Sequence, residues 1–188
     1  MKRFFSPGMW LCVWLVCGSA AVVFGQTAPI PELLDPMENT AGWTVYKDDR
    51  GVSVSLDTID ADKGKAVEVF YSMEGGEWFG IFKSINRDLS GYKGVRFSVM
   101  GAGSANSLEF KLEDADGTMF GKVVGLKSNT GSWAKVSVMF DQLAYWWGGD
   151  NSLDWTKIKN IHFAVSKKVK GDQGGSGKLM IDQVELLK

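Results

Sequence analysis

The chain is short of the side chains on which most protein chemistry depends. In 188 residues it has one histidine, His162, and two cysteines, Cys12 and Cys17. A zinc site would have to be assembled from a single imidazole and carboxylates, an uncommon ligand set. A Ser-His-Asp arrangement would rest on His162 alone, and no nucleophile-elbow motif accompanies it. No glycine-rich loop leads into a helix, and no dinucleotide fingerprint is present. Two carboxylates suffice for glycoside hydrolysis, but nothing in the spacing of the acids selects a pair. An excess of one charge is also missing. With 21 basic and 22 acidic residues the formal net charge is −1, which argues against nucleic acid or an anionic membrane surface as partner. These absences describe a non-catalytic protein.

The apolar run from Met9 to Phe24, broken only by Gly18 and Ser19, is about 16 residues against the ~20 that span a bilayer. It follows Lys2 and Arg3 and ends at Val23-Phe24-Gly25. That layout predicts a secretory signal peptide over residues 1–25, cleaved after Gly25. A lipoprotein reading fits less well, because Cys17 follows Leu15-Val16 where a small residue is the rule. Cleavage would remove both cysteines and take the net charge to −3, leaving no disulfide to hold the exported domain together. The expected location is the periplasm or the extracellular space, with no membrane insertion after cleavage. Residues 26–32, with Pro29 and Pro31, read as a linker to a single domain over residues 33–188.

Within that domain the pattern is period two. Val52–Leu56, Val95–Val99, Leu108–Leu112, Val136–Phe140 and Ile161–Val165 alternate apolar and polar residues. Val67–Met73, Trp78–Lys83, Met119–Leu126 and Lys178–Leu187 supply further strands. About nine short strands without a helical period of ten residues predict an all-β fold, an antiparallel β-sandwich or barrel. In the last strand the apolar phase slips between Ile181 and Val184, which implies either a β-bulge at Asp182-Gln183 or burial on both faces.

Five segments in this order carry a resemblance: Leu34–Glu38, Gly64–Val69, Leu89–Phe97, Trp133–Phe140 and Gly177–Leu186. Together they resemble the galactose-binding-like jelly roll, in particular the family-11 carbohydrate-binding modules and the related complex I intermediate-associated protein 30 domain. Met37 departs from that pattern, which has an aromatic before the glutamate. The resemblance implies a jelly-roll sandwich that binds a glycan or polysaccharide without cleaving it. A structural or assembly role, with a protein partner held by the same fold, is the alternative. It also implies a structural calcium, carried over by position to Glu38, to the loop with Asp57, Asp60 and Asp62, and to Asp182. Calcium takes six to eight oxygen ligands, which such a set suits; solvated turn aspartates are the plainer reading.

Six tryptophans remain after residue 25: Trp43, Trp78, Trp133, Trp146, Trp147 and Trp155. Sugar rings offer C–H faces to aromatic rings, so Trp78 and the Trp146-Trp147 pair, read as lying in a loop with Gly148-Gly149, are candidate stacking residues, unless the pair caps an edge of the core. Trp133, at a strand start, reads as core. Glu109 and Lys111 project opposite the Leu108-Phe110-Leu112 face, and His162 opposite Ile161-Phe163-Val165. On a concave sheet these three would line a groove and hydrogen-bond a sugar; on a convex one they would simply be solvated.

Overall fold

The computed structural model describes residues 30–188. The expected signal peptide, both cysteines and linker residues 26–29 lie outside them. Twelve strands form: β1 (Glu32–Asp35), β2 (Trp43–Lys47), β3 (Ser53–Asp60), β4 (Lys65–Ser72), β5 (Trp78–Arg87), β6 (Gly94–Gly103), β7 (Ser107–Asp114), β8 (Met119–Lys127), β9 (Ala134–Met139), β10 (Ala144–Trp147), β11 (Ile158–Ser166) and β12 (Ser176–Leu187). They make two antiparallel sheets, the jelly-roll sandwich expected. The first runs β3-β4-β12-β6-β9 with β1 also on β12; the second runs β10-β8-β7-β11-β5-β2.

The alternation explains why these sheets pack. Val95, Phe97 and Val99 of β6 face Leu108, Phe110 and Leu112 of β7 and Ile161, Phe163 and Val165 of β11, and all nine are buried. Phe163 is the hub, with ring centroids 4.8 Å from Phe97, 5.7 Å from Phe110 and 5.8 Å from Trp43. Met37, in place of the aromatic, is fully buried at φ 61°, and its N–H is anchored by Asp35 Oδ1 at 2.7 Å.

The phase slip in β12 is a bulge. Asp182 pairs with Ser98 and Glu185 with Arg96, so two residues on β12 oppose one on β6, and Gln183 turns to φ 49°. The bulge also marks a change of neighbour: β12 pairs with β4 up to Ile181 and with β1 from Val184. Burial on both faces coexists with it, since Met180 and Asp182 are buried beside Leu179 and Ile181.

All nine expected strands are present; β1, β2 and β10 are additional. β1 starts at Glu32, inside the stretch read as linker, and Trp146-Trp147 lie in β10 rather than in a loop. Trp133 is not core. It precedes β9, is half-buried, and lines a cavity of about 230 Å³ with Asp62, Lys63, Lys135, Asp182 and Gln183.

Candidate functional site

Residues on the outward face of the second sheet are brought together by register. Lys111 lies between Gly121 of β8 and His162 of β11, which is followed by Phe82 of β5 and Thr44 of β2. One row along, Glu109 aligns with Ala164, Gly80 and Tyr46. Trp78 sits opposite Ser166, and β10 closes the sheet beside β8. All six expected ligand-contacting residues, Trp78, Glu109, Lys111, Trp146, Trp147 and His162, therefore share one face.

Their depth differs from either expectation. Glu109, Lys111 and His162 are 3%, 4% and 5% exposed, although they point away from the core. Aromatic rings from the neighbouring strands cover them. Tyr46 lies over Gly80, where a Cβ would come 2.4 Å from its ring, and Trp146 lies over Gly121, where one would come 3.0 Å from the indole. Neither ring could take that position over a larger residue. The polar groups thus form a layer under the rings.

That layer is internally hydrogen-bonded. Lys111 Nζ is 2.9 Å from Glu109 Oε2, and Ser166 donates to Glu109 Oε1 at 2.6 Å. Ser84 donates to Asn160, Asn160 donates to Glu113 Oε2 at 2.6 Å, and His162 Nε2 lies 3.1 Å from the same oxygen. The His162 ring stacks on Phe82 at 5.4 Å and meets the Tyr46 edge at 5.5 Å. His162 Nδ1 and the Tyr46 hydroxyl are buried without a partner. Burial pushes the Tyr46 phenol up, reinforced by Glu109 and Glu113.

Burial also pushes His162 down to about 4, against the attraction of Glu113. The unfolded imidazole takes a proton near pH 6.5 while the folded one does not, so stability is full above about 6.5 and drains away as the pH falls towards 4. The parent protein is expected to lose about 3 kcal/mol more than a His162→Gln variant between pH 7 and pH 4. Urea denaturation at the two pH values measures this; equal losses would refute it.

The acids expected to hold calcium do not all converge. Asp57 and Asp60 face solvent; Asp57 bonds the adjacent Thr58 N–H and Asp60 pairs with Lys65. Glu38 Oε2 accepts the Lys65 N–H at 2.9 Å and packs on Gly64, pinning the β3–β4 turn to the chain after β1. Asp182 is different. It is buried, its Oδ1 has no partner, and burial, followed by the charges of Glu38 and Asp62, pushes its carboxyl up. Among the described residues no three carboxylate, His or Cys side chains lie close enough to form a metal cluster as they stand.

The exposed part of the face is aromatic. Trp147 is 45% exposed, Trp78, Trp146, Tyr46 and Phe82 are partly so, and the indoles of Trp146 and Trp147 are 5.8 Å apart. Tyr46 and Phe82 escaped the sequence reading. The alternation Trp43-Thr44-Val45-Tyr46 was a usable strand signal, but its place beside β5 is set by long-range pairing.

The family model described as "Carbohydrate binding domain (family 11)" matches residues 25–188. No curated protein sequence matches the chain significantly. Among solved structures, a family 11 carbohydrate-binding module from Clostridium thermocellum, in complex with a β-1,3-1,4-mixed-linked tetrasaccharide, aligns with TM-score 0.67 at 22% identity, over 84% of this chain and 95% of that one. The family 11 module of the cellulosomal cellulase Lic26A-Cel5E of the same organism gives 0.65 at 18% identity, over 86% and 96%. An exo-β-agarase gives 0.60 at 15% identity, covering 82% of this chain but 25% of the enzyme. At these identities the structural matches speak for the fold.

Proposed function

We propose, from the premise that this chain belongs to the family 11 carbohydrate-binding domains, that its non-catalytic module holds a glycan chain on the outward face of the second sheet. The observation that carries this is the platform of partly exposed rings, Trp78, Trp146 and Trp147 with Tyr46 and Phe82, laid over a hydrogen-bonded polar layer. A sugar's C–H faces stack on such rings, while its hydroxyls remain in water. Glu109, Lys111 and His162 act from beneath, setting the rings rather than touching the sugar. The protein works outside the cell after residues 1–25 are removed. Among the described residues no helix is long and apolar enough to cross a membrane. A glycan array probed with protein beginning at Gln26, and including the mixed-linked β-glucan tetrasaccharide, tests the reading. Binding to no glycan on the array, or an exported protein that still starts at Met1, would overturn the corresponding part.

A bound cation is supported by one specific feature, the partnerless Oδ1 of buried Asp182 repelled by Glu38 and Asp62. Hard cations such as calcium answer that kind of carboxylate crowding. Glu38, Asp62 and Asp182 would hold it, without Asp57 and Asp60, and it would tie the chain after β1 to the β12 bulge. A cation bound only by the folded state adds about 2.7 kcal/mol at a hundredfold excess over its Kd. Chelator should therefore lower Tm by roughly 5–10 °C, and added calcium should restore it. An unchanged melt in both conditions rules the cation out.

A further inference from the structure

Adjacent residues of a strand point to opposite sides of the sheet, yet the Trp146 and Trp147 rings both reach the Lys111 side. Part of the reason is the register shift in β10: Tyr145 pairs with Phe120 and Trp147 with Met119, leaving Trp146 as the extra residue. A bulge lets both rings turn to one face but does not hold them there. β10 is a four-residue edge strand paired only with β8, and Trp147 is 45% exposed.

What the two indoles share is an ammonium group. Lys111 Nζ lies 5.1 Å from the Trp146 ring centroid, 5.3 Å from that of Trp147 and 5.8 Å from that of Tyr46. Its stem passes under Gly121, the residue whose missing Cβ admits Trp146. Glu109 fixes the head from the other side at 2.9 Å and is itself held by Ser166. A cation enclosed by aromatic faces is attracted to each of them, most strongly to indole, and the attraction grows when water is excluded.

We infer that Lys111 is the positioning residue of the aromatic platform: its ammonium, clamped by Glu109 and enclosed by Tyr46, Trp146 and Trp147, sets both indoles on the ligand face. The inference rests on the glycan-binding reading for its purpose, but its geometry can be tested without any sugar. Burial holds the Lys111 ammonium below the ordinary lysine range, against Glu109 and with help from Lys168. The other charged or titratable groups packed around it are Glu113 on β7, His162 on β11 and Tyr46 on β2. Tyr46 shifts upwards and His162 to about 4, so both titrate away from Lys111.

The experiment is near-ultraviolet circular dichroism of the glycan-free protein, which reads the coupling of two indoles held 5.8 Å apart. In the parent the indole signal is expected to decay at a pH below the ordinary lysine range, as Lys111 loses its proton. Lys111→Arg keeps a cation that does not deprotonate; it should show the parent signal at neutral pH and hold it through the alkaline range. Tyrosine contributions are common to both proteins and cancel in the difference. The double variant Lys111→Met/Glu109→Gln, which leaves no unpaired buried charge, should lose the indole signal at every pH while its far-ultraviolet spectrum stays that of the parent. Its affinity for any glycan the parent binds should fall at least tenfold. If the double variant fails to fold, the pH comparison decides alone. Identical alkaline profiles for parent and Lys111→Arg, or an intact indole signal in a folded double variant, would overturn the inference. Loss of the signal in a parent that binds no glycan would leave Lys111 in its role and remove the glycan reading.

Discussion

Trp147→Ala should weaken glycan binding tenfold or more and leave Tm within a few degrees of the parent. The expectation combines two observations. Trp147 is 45% exposed, so truncation opens no cavity in the core. It also offers an indole face beside Trp146 on the outward side of the sheet, where the glycan is proposed to lie. Stacking of a planar ligand on an exposed aromatic is worth about 1–3 kcal/mol on the scale measured for bases, and 1.4 kcal/mol is a factor of ten in Kd. Trp146, which lies over Gly121 and is half-buried, should show the same loss of affinity with a somewhat larger loss of stability. Trp43 makes the control: it is 6% exposed and packs on Phe163, so its replacement should lower Tm and act on binding only through the fold. Isothermal titration and a thermal melt on each variant separate these patterns. A Trp147→Ala protein that binds as the parent does would move the site off this face.

The second large effect is expected inside the sandwich. Phe163→Ala should cost about 3–5 kcal/mol, the range for a buried phenylalanine cut to alanine. Phe163 lies on β11, in the interior of the second sheet, and its ring is the common neighbour of Phe97, Phe110 and Trp43. Those three residues come from β6, β7 and β2, so the lost ring cannot be replaced by a small shift of one strand. Against a total stability of about 5–15 kcal/mol this is a large share, and Tm should fall by roughly 6–20 °C. A melt lowered by less than about 3 °C would show that the site collapses around the missing ring or that the hub is not where the centroid distances place it.

How much of this was legible in the sequence depends on the range of the interaction. Period-two alternation is local, and it located nine strands and assigned the correct outward phase to Glu109, Lys111 and His162. The phase slip in β12 was legible for the same reason: Leu179, Ile181, Val184 and Leu186 do not fall on one face of an unbroken strand, which left a bulge or burial on both faces as the alternatives. The strands missed were the short ones. β1 offers only Leu33 and Leu34 between acidic residues, and β10 reads as an aromatic loop before two glycines. Pairing across the sheet was not legible, and it decides the character of the site. Tyr46 and Phe82 come over His162 only because β2, β5 and β11 are neighbours, and Gly80 and Gly121 matter only because rings from other strands lie on them. A row of charged residues on the outer phase of a strand reads as solvated. Here those residues are buried beneath rings from neighbouring strands. For the acids, the positions carried over from the resemblance do not all meet: Asp57 and Asp60 point to solvent, whereas Glu38 and Asp62 both act electrostatically on Asp182.

β10 has one further consequence, for how the molecule behaves towards copies of itself. It is an outer strand of the second sheet, and an outer strand that is long, flat and apolar presents unpaired N–H and C=O groups that template a strand from another chain. β10 is apolar but neither long nor flat. It has four residues, its ladder to β8 is interrupted at Trp146, and Gly148 and Gly149 take the backbone to positive φ directly after Trp147. A protein with two large apolar rings at a sheet margin would otherwise be prone to self-association at high concentration. The interrupted ladder leaves the rings at the surface while the backbone beside them offers no continuous register for a second copy to join.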